Sequence, residues 1–290
     1  MIDFFKYRKI SYIASSVFII ITILLIFFKG LNLGIDFKGG FNVEVRSDLN
    51  NQDLNSIFSQ IDSSREVIVK KELSSNVFSI RIESGSGDKV FLDVVKDKIS
   101  NLQNVEILMS EYIEPTFSKD LIQNSLYALL SSILVIAFYI WIRFDWQFAF
   151  AGIMALLHDV LLAIGFMSLF NIEFNLTMIA AILLIAGYSI NDTIVLFDRL
   201  RTLTSKEDVK INLPLMINNS IFLNLRRTIL TSFTTILALV CLVILAPVNL
   251  TEMPIVFIFG VLIGTYSSIF LALPTISVLN YESVLKSRDS

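Results

Sequence analysis

The sequence predicts a polytopic α-helical membrane protein in which a small α+β domain separates the first of six transmembrane helices from the other five. Three observations predict it. Hydrophobic residues make up 54% of the 290-residue chain, Phe alone numbers 24, and these residues are gathered into blocks instead of being spread evenly. Between the first and second blocks the apolar pattern changes to alternation and to short helical spacings. Lys and Arg flank the blocks on alternate sides and are missing from the two short connections opposite, which is the charge signature of alternating helices.

Six blocks approach or exceed the ~20 residues with which a helix crosses a bilayer. They run Ile10–Phe28, Leu121–Ile142, Phe148–Phe170, Leu176–Phe197, Leu225–Ala246 and Ile255–Leu279. The first follows a basic flank, MIDFFKYRK, but exceeds the 7–15 residues of a signal-peptide apolar core and has no A-x-A-like site after it. It is therefore expected to stay as an anchor. Lys6, Arg8 and Lys9 precede this block, Arg143 lies between the second and third, and Arg199, Arg201, Lys206, Lys210, Arg226 and Arg227 between the fourth and fifth. Lys286 and Arg288 follow the sixth, whereas Asn171–Asn175 and Pro247–Pro254 contain neither Lys nor Arg. Both termini are thus expected in the cytoplasm. The net charge of −3 carries no message, because the two signs are segregated. The single Cys241, in an apolar block, excludes an intrachain disulfide.

The expected divisions are 1–28 for the cytoplasmic N-terminus and first helix, 29–120 for an extracytoplasmic domain, 121–279 for the five-helix region and 280–290 for a cytoplasmic tail. Within the outer domain, Phe41–Arg46, Glu66–Lys71 and Val77–Ile82 alternate, and Val105–Ile113 reads as a last strand. Asp53–Ile61 and Val90–Ile99 carry helical spacing. The order βαββαβ suits a ferredoxin-like module. It holds no nucleophile with a base and no metal-ligand cluster, which points to a binding or lever element. Four glycines in Gly30–Gly40, GLNLGIDFKGG, suit a tight or flexible passage from membrane to domain.

The residues that resist a packing explanation are ionisable. Asp192 lies inside the fourth block, with Ser189 and Asn191 before it and Ile194–Phe197 after it. An ionised carboxylate at such a depth costs roughly 3 kcal/mol, so it must face a polar cavity, meet a cation or take up a proton. Asp159 is a second acid at mid-membrane depth, in a stripe with Ala151, Ala155 and Ala163. The fifth helix carries Arg227, Thr231, Thr234 and Thr235 on one face. With alternating helices, Asp192 and Arg227 reach similar depth on adjacent helices. The pair reads as a latch that a proton from outside would break and whose loss to the cytoplasm would remake. The alternatives are interhelical hydrogen bonding for Asp192 and the threonines and snorkelling for Arg227. His158, the one histidine, lies about 100° around the helix from Asp159, which argues against both facing one cavity; it is either a relay neighbour or a packing donor. Gly260, Gly264 and Ser268 form a small-residue face on the sixth helix.

Four motifs add a resemblance. GIDFKGG after the first helix, His158-Asp159-Val160, GYSINDTIVLFDRLR from Gly187 to Arg201, and Arg227-Thr228 with Leu230-Thr231-Ser232, Thr234 and Thr235 occur in sequence along the whole chain. Together they resemble the SecD/SecF family of auxiliary subunits of the bacterial Sec protein translocase, within the resistance-nodulation-division superfamily. The single small outer domain is similar to the SecF branch. Glu114-Pro115-Thr116-Phe117-Ser118 departs from the family's Gly-Pro-Thr-Ile-Gly-like approach to the second helix. The resemblance implies an inner-membrane protein that uses the proton-motive force to complete protein export. It implies SecD, the SecYEG channel, YajC, exported unfolded polypeptides and protons as partners, and neither nucleic acid nor a cofactor or metal. It also implies proton flow along the region of the fourth helix that moves the outer domains, and the ionisable residues read above, Asp192, Arg227 and Asp159, supported by Asn191, Ser189, Thr231, Thr235 and His158, are the expected relay. Gly34, Asp36, Phe37, Gly39 and Gly40 would then tether the outer domain. No G-x-x-x-x-G-K-[ST] occurs, so no ATP site or other hydrolytic site is expected. A proton-coupled exporter of a small amphipathic solute or lipid is the alternative, and a non-conducting scaffold a third.

Overall fold

The computed structural model describes residues 3–48, 54, 56, 67–71, 76–83, 97, 105–204, 212–245 and 248–279. Among the described residues, six helical segments are long and apolar enough to cross a membrane. In chain order the helices are α1 (Arg8–Lys29), the short α2 (Ile35–Lys38), α3 (Pro115–Arg143), α4 (Trp146–Phe170), α5 (Leu176–Thr204), α6 (Leu213–Leu245), α7 (Val248–Ser267) and α8 (Leu273–Val278). A π-helical turn, Ser268–Ala272, joins α7 to α8. It precedes Pro274, which has no N–H to continue an i→i−4 ladder, so a wider turn is a natural way to carry the span onward.

Side-chain size sorts the helices. α4 carries Ala155, Ala163 and Gly165, α5 Ala181 and Ala186, and α7 Gly260 and Gly264, and these three form the packed centre. A Cβ on Gly165 would lie 2.4 Å from Thr22 Oγ1, so α1 rests against α4 at backbone range. α1, α3 and α6 turn large residues outward, among them Ile10, Phe27, Leu134, Trp141, Phe233 and Leu237. Such faces suit hydrocarbon.

Four helices outrun their apolar blocks, α3 starting six residues before Leu121 and α7 seven before Ile255. α5 continues through Asp198 and Arg201 to Thr204, and α6 starts at Leu213, twelve residues before Leu225. The extension of α6 is amphipathic: Leu213, Met216, Ile217, Ser220 and Ile221 are buried at i, i+3, i+4, i+7 and i+8. The apolar members of that stripe pack in one cluster with Phe4, Phe5, Leu196, Leu200 and Ile276. Asn212 caps it through its side chain to Leu215 N at 3.2 Å. The N-terminal residues, the end of α5, the start of α6 and the end of the last span thus share one end of the bundle.

The outer domain sits at the other end. Strands β1 (Gly40–Ser47), β2 (Val67–Lys71), β3 (Val77–Glu83) and β4 (Val105–Ile113) form an antiparallel sheet in the order β2-β3-β1-β4. That is the strand order of a ferredoxin-like sheet. The expected helices Asp53–Ile61 and Val90–Ile99 lie outside the described residues except for Leu54, Ser56 and Asp97, each of which is helical. Alternation sends Phe41, Val43 and Val45 of β1 and Phe78, Ile80 and Ile82 of β3 to one buried face with Leu54. The intervening Asn42 and Ser79, which hydrogen-bond each other at 3.1 Å, and Arg81 occupy the opposite, polar face.

Candidate functional site

The close approach of α4, α5 and α7 creates a polar cluster in the apolar interior. A Cβ on Gly260 would stand 2.3 Å from Ile185 Cγ1, and one on Gly264 3.0 Å from Ser189 Cβ. With the helices this near, Ser189 from α5 and Ser267 from α7 both reach Asp159 of α4. Their hydroxyls donate to Oδ2 at 2.5 and 2.6 Å. His158 Nδ1 stands 2.8 Å from Oδ1, and Asp159 is completely buried. The expectation that His158 and Asp159 face apart is therefore corrected. Helical neighbours diverge at Cβ, but rotation about the side-chain bonds brings the imidazole back over the carboxylate. His158 Nε2 is left buried without a hydrogen-bond partner among the described residues.

Asp192 lies one turn beyond Ser189, on the same buried side of α5. It is 3% exposed, and its Oδ2 is sealed from solvent with no partner among the described residues. No ion pair within 4.0 Å joins it to Arg227 among the described residues. Instead, Arg227 is exposed and lines a cavity of about 370 Å³ with Tyr139, Arg143, Asp198, Arg199 and Asn224. Arg143 and Asp198 approach to 3.6 Å there. The structure thus puts the two members of the expected latch on adjacent helices but not in contact. The physical reason is that Asp192 points into the bundle while the long Arg227 side chain can extend toward the wetter end of α6. Asn191 faces outward, as does Gly187, where an added Cβ would meet nothing within 4 Å. Thr231 and Thr235 donate to carbonyls of their own helix, Thr231 to Arg227 O at 3.0 Å and Thr235 to Thr231 O at 2.8 Å. Their hydroxyls are thereby satisfied locally.

The glycine-rich passage is docked, not free. Ser168 donates to Gly30 O at 2.7 Å, Gly34 N to Phe174 O at 2.9 Å and Phe174 N to Asn32 O at 2.7 Å. Phe37 packs on Phe174 with ring centroids 5.7 Å apart. Asp36 Oδ2 accepts from Leu176 N, the first residue of α5, at 2.9 Å. An acid there also suits the positive end of the helix dipole. Gly39, at φ 82°, turns the chain from α2 toward β1 in a conformation that favours glycine, and Gly40 opens the strand. The flexible-tether reading of this segment gives way to a seam along the α4–α5 connection.

Three residues at this seam and in the interior carry no strong sequence signal. Ser267 is one of many small residues in the last span. Glu173 is the one acid in the connection Asn171–Asn175, and that isolation is its only clue. Arg81 sits within an alternating strand and looks solvent-facing, yet it forms a buried ion pair with Glu173. Burial pushes its guanidinium below the ordinary arginine value, while Glu252, Asp36 and Glu44 push it back up.

Comparison with known proteins matches residues 94–282 to the family described as protein export membrane protein SecD/SecF, C-terminal, and residues 24–48 to the SecD/SecF GG motif. The protein translocase subunit SecF of Rickettsia prowazekii is 37% identical over 282 residues, covering 95% of this chain and 90% of that protein. The counterpart from Rickettsia bellii is 36% identical over 282 residues, covering 95% and 92%. Among solved structures, SecDF from Thermus superposes with a TM-score of 0.83 at 30% identity, covering 96% of this chain and 38% of that one. A SecDF in a super-membrane-facing form gives 0.72 at 27% identity, covering 100% and 40%. The chain therefore spans about two fifths of the length of those SecDF chains.

Proposed function

The chain belongs to the SecD/SecF family of protein export membrane proteins, and from that premise we propose that it works as a SecF-like auxiliary subunit which, with SecD, uses the proton-motive force to complete protein export. The observation that carries the proton-driven part is the state of Asp192. Its carboxylate is 3% exposed, has an unpartnered Oδ2 among the described residues, and lies within a span. A group so placed is costly as an anion and mild as an acid, so it is suited to change charge during a cycle. Each charge that moves through the membrane field is worth about 2.3 kcal/mol per 100 mV, enough to bias a helix rearrangement.

In this reading Arg227 is the cation that meets Asp192 in one state and withdraws to the cavity in another. The hydrogen-bonded cluster at Asp159 is the second ionisable centre, with Ser189 linking it to the helix of Asp192. Both termini lie in the cytoplasm, the sheet lies on the extracytoplasmic side, and SecD supplies the other half of the helical bundle. The SecYEG channel and YajC complete the assembly, and exported unfolded polypeptide is the cargo. The test is Asp192→Asn in the assembled complex. It is expected to remove proton-dependent export while leaving abundance and association with SecD unchanged. Normal translocation and normal proton conductance in that variant would overturn the assignment of Asp192.

A further inference from the structure

β3 turns Ile80 and Ile82 into the apolar core of the outer domain and Arg81 to the face that meets the bundle. There the guanidinium contacts Glu173, itself 3% exposed, in the connection that leads into α5. Asp36 and Glu44 from the outer chain and Glu252 from the outer part of α7 add their fields to the same cation. A buried ion pair is a poor source of net stability, because both charges leave water. What a planar guanidinium against a carboxylate does supply is a defined seat. The second fastening is the Asp36 carboxylate on Leu176 N, and the third is the pair of backbone bonds between Asn32–Gly34 and Phe174. All three converge on the residues at which α5 begins.

Asp192 lies on that same helix, about 24 Å further along at the rise of an α-helix. We propose that Arg81, Glu173 and Asp36 are positioning residues that fasten the outer sheet to the first turn of α5, so that a displacement of α5 initiated at Asp192 moves the sheet as one body with it. The proposal rests on the reading that a proton-driven change at Asp192 powers export. It adds the element by which that change leaves the membrane: the helix is the rod and the Arg81–Glu173 seat, with the Asp36 cap, is its coupling. Hydrophobic packing alone would allow the sheet to slide on the bundle, whereas an ion pair and a cap fix both position and rotation.

The experiment uses the full chain in its native complex in sealed vesicles, with export of a secretory polypeptide and proton flux measured side by side. Arg81→Glu and Glu173→Arg are each expected to lower proton-driven export roughly tenfold with proton flux kept within about twofold, and the double exchange to recover most of the loss, as contacting pairs do. A merely structural role would lower complex abundance and both readouts together. Arg81→Gln, which removes the charge but keeps a polar side chain, replaces the reversals if they fail to accumulate and is expected to show the same loss of export with retained flux. Asp36→Ala should do likewise. Native export in Arg81→Gln, or a double exchange no better than either single, overturns the coupling and leaves Asp192 untouched. Asp192→Asn with native flux and export overturns the reading beneath it, and the two failures are thus told apart.

Discussion

Replacing Gly260 by alanine tests whether the polar cluster depends on how closely α5 and α7 approach. The added Cβ would lie 2.3, 2.5 and 2.9 Å from Ile185 Cγ1, Cδ1 and Cγ2. Ordinary carbon contacts need ~3.5–4.0 Å, so more than an ångström must be found. Ile185 is fully buried and β-branched, which leaves it few rotamers into which to retreat. Overpacking of this kind costs about 1–3 kcal/mol. If α7 yields instead, a retreat of ~1 Å carries the Ser267 hydroxyl beyond hydrogen-bond range of Asp159, from its present 2.6 Å. Losing a hydrogen bond to a buried carboxylate costs about 1.5–3 kcal/mol, so by either route the loss is on the order of 1–3 kcal/mol and should lower the melting temperature by roughly 2–6 °C. The assay is thermal unfolding of the purified chain in detergent, for Gly260→Ala, Ile185→Ala and the double variant. Ile185→Ala makes the missing room, so the double variant should recover more than ~1 kcal/mol relative to additivity. A Gly260→Ala protein that melts within ~2 °C of the native chain, with no coupling to Ile185, would refute the steric argument.

Two other outcomes follow from particular contacts. Phe41 is fully buried and stacks on Tyr112 at 4.8 Å, so Phe41→Ala should destabilise the outer sheet by about 3–5 kcal/mol. Limited proteolysis should then cut within the outer domain at rates at which the helical region stays whole. At the opposite end, the Asn218 side chain donates to Asp3 Oδ1 at 2.7 Å and, helped by Lys6 and the Phe5 amide, holds that carboxyl below its ordinary value. A depressed folded value means that this contact stabilises above the unfolded value of about 3.9 and is lost as pH falls through the lowered one. The protection of the Phe5 amide, whose N–H bonds Asn218 Oδ1 at 2.9 Å, taken relative to its intrinsic exchange rate at each pH, should therefore stay high at pH 5–7 and fall only in stronger acid. Asn218→Ala should remove that protection at every pH.

Features that depend on period or on desolvation are readable from residues alone. The six apolar blocks form six long helices, and alternation in Phe41–Arg46, Val77–Ile82 and Val105–Ile113 gives β1, β3 and β4. Asp159 and Asp192 stand out because an acid in an apolar run demands an explanation, and both are buried. What depends on rotation and reach is not readable. Helical-wheel angles separate His158 from Asp159, yet their side chains meet. Similar depth suggests contact between Asp192 and Arg227, but depth does not fix the direction in which a long side chain runs. Leu213–Leu225 escapes notice as helix because its mixed composition falls below that of a membrane span, although its buried stripe has helical spacing. Glycines in Gly30–Gly40 encode permissiveness, not destination, so the seam with Phe174 and Leu176 is invisible in them.

The outward-facing Gly187 and Asn191 of α5, one helical turn apart, bear on what this helix requires around it in a membrane. An exposed amide within a span needs a hydrogen-bonding partner or water, and the open position at Gly187, one turn before it, lets a neighbouring helix approach closely. A helix laid along that face would give the amide a partner and fill the space over the glycine.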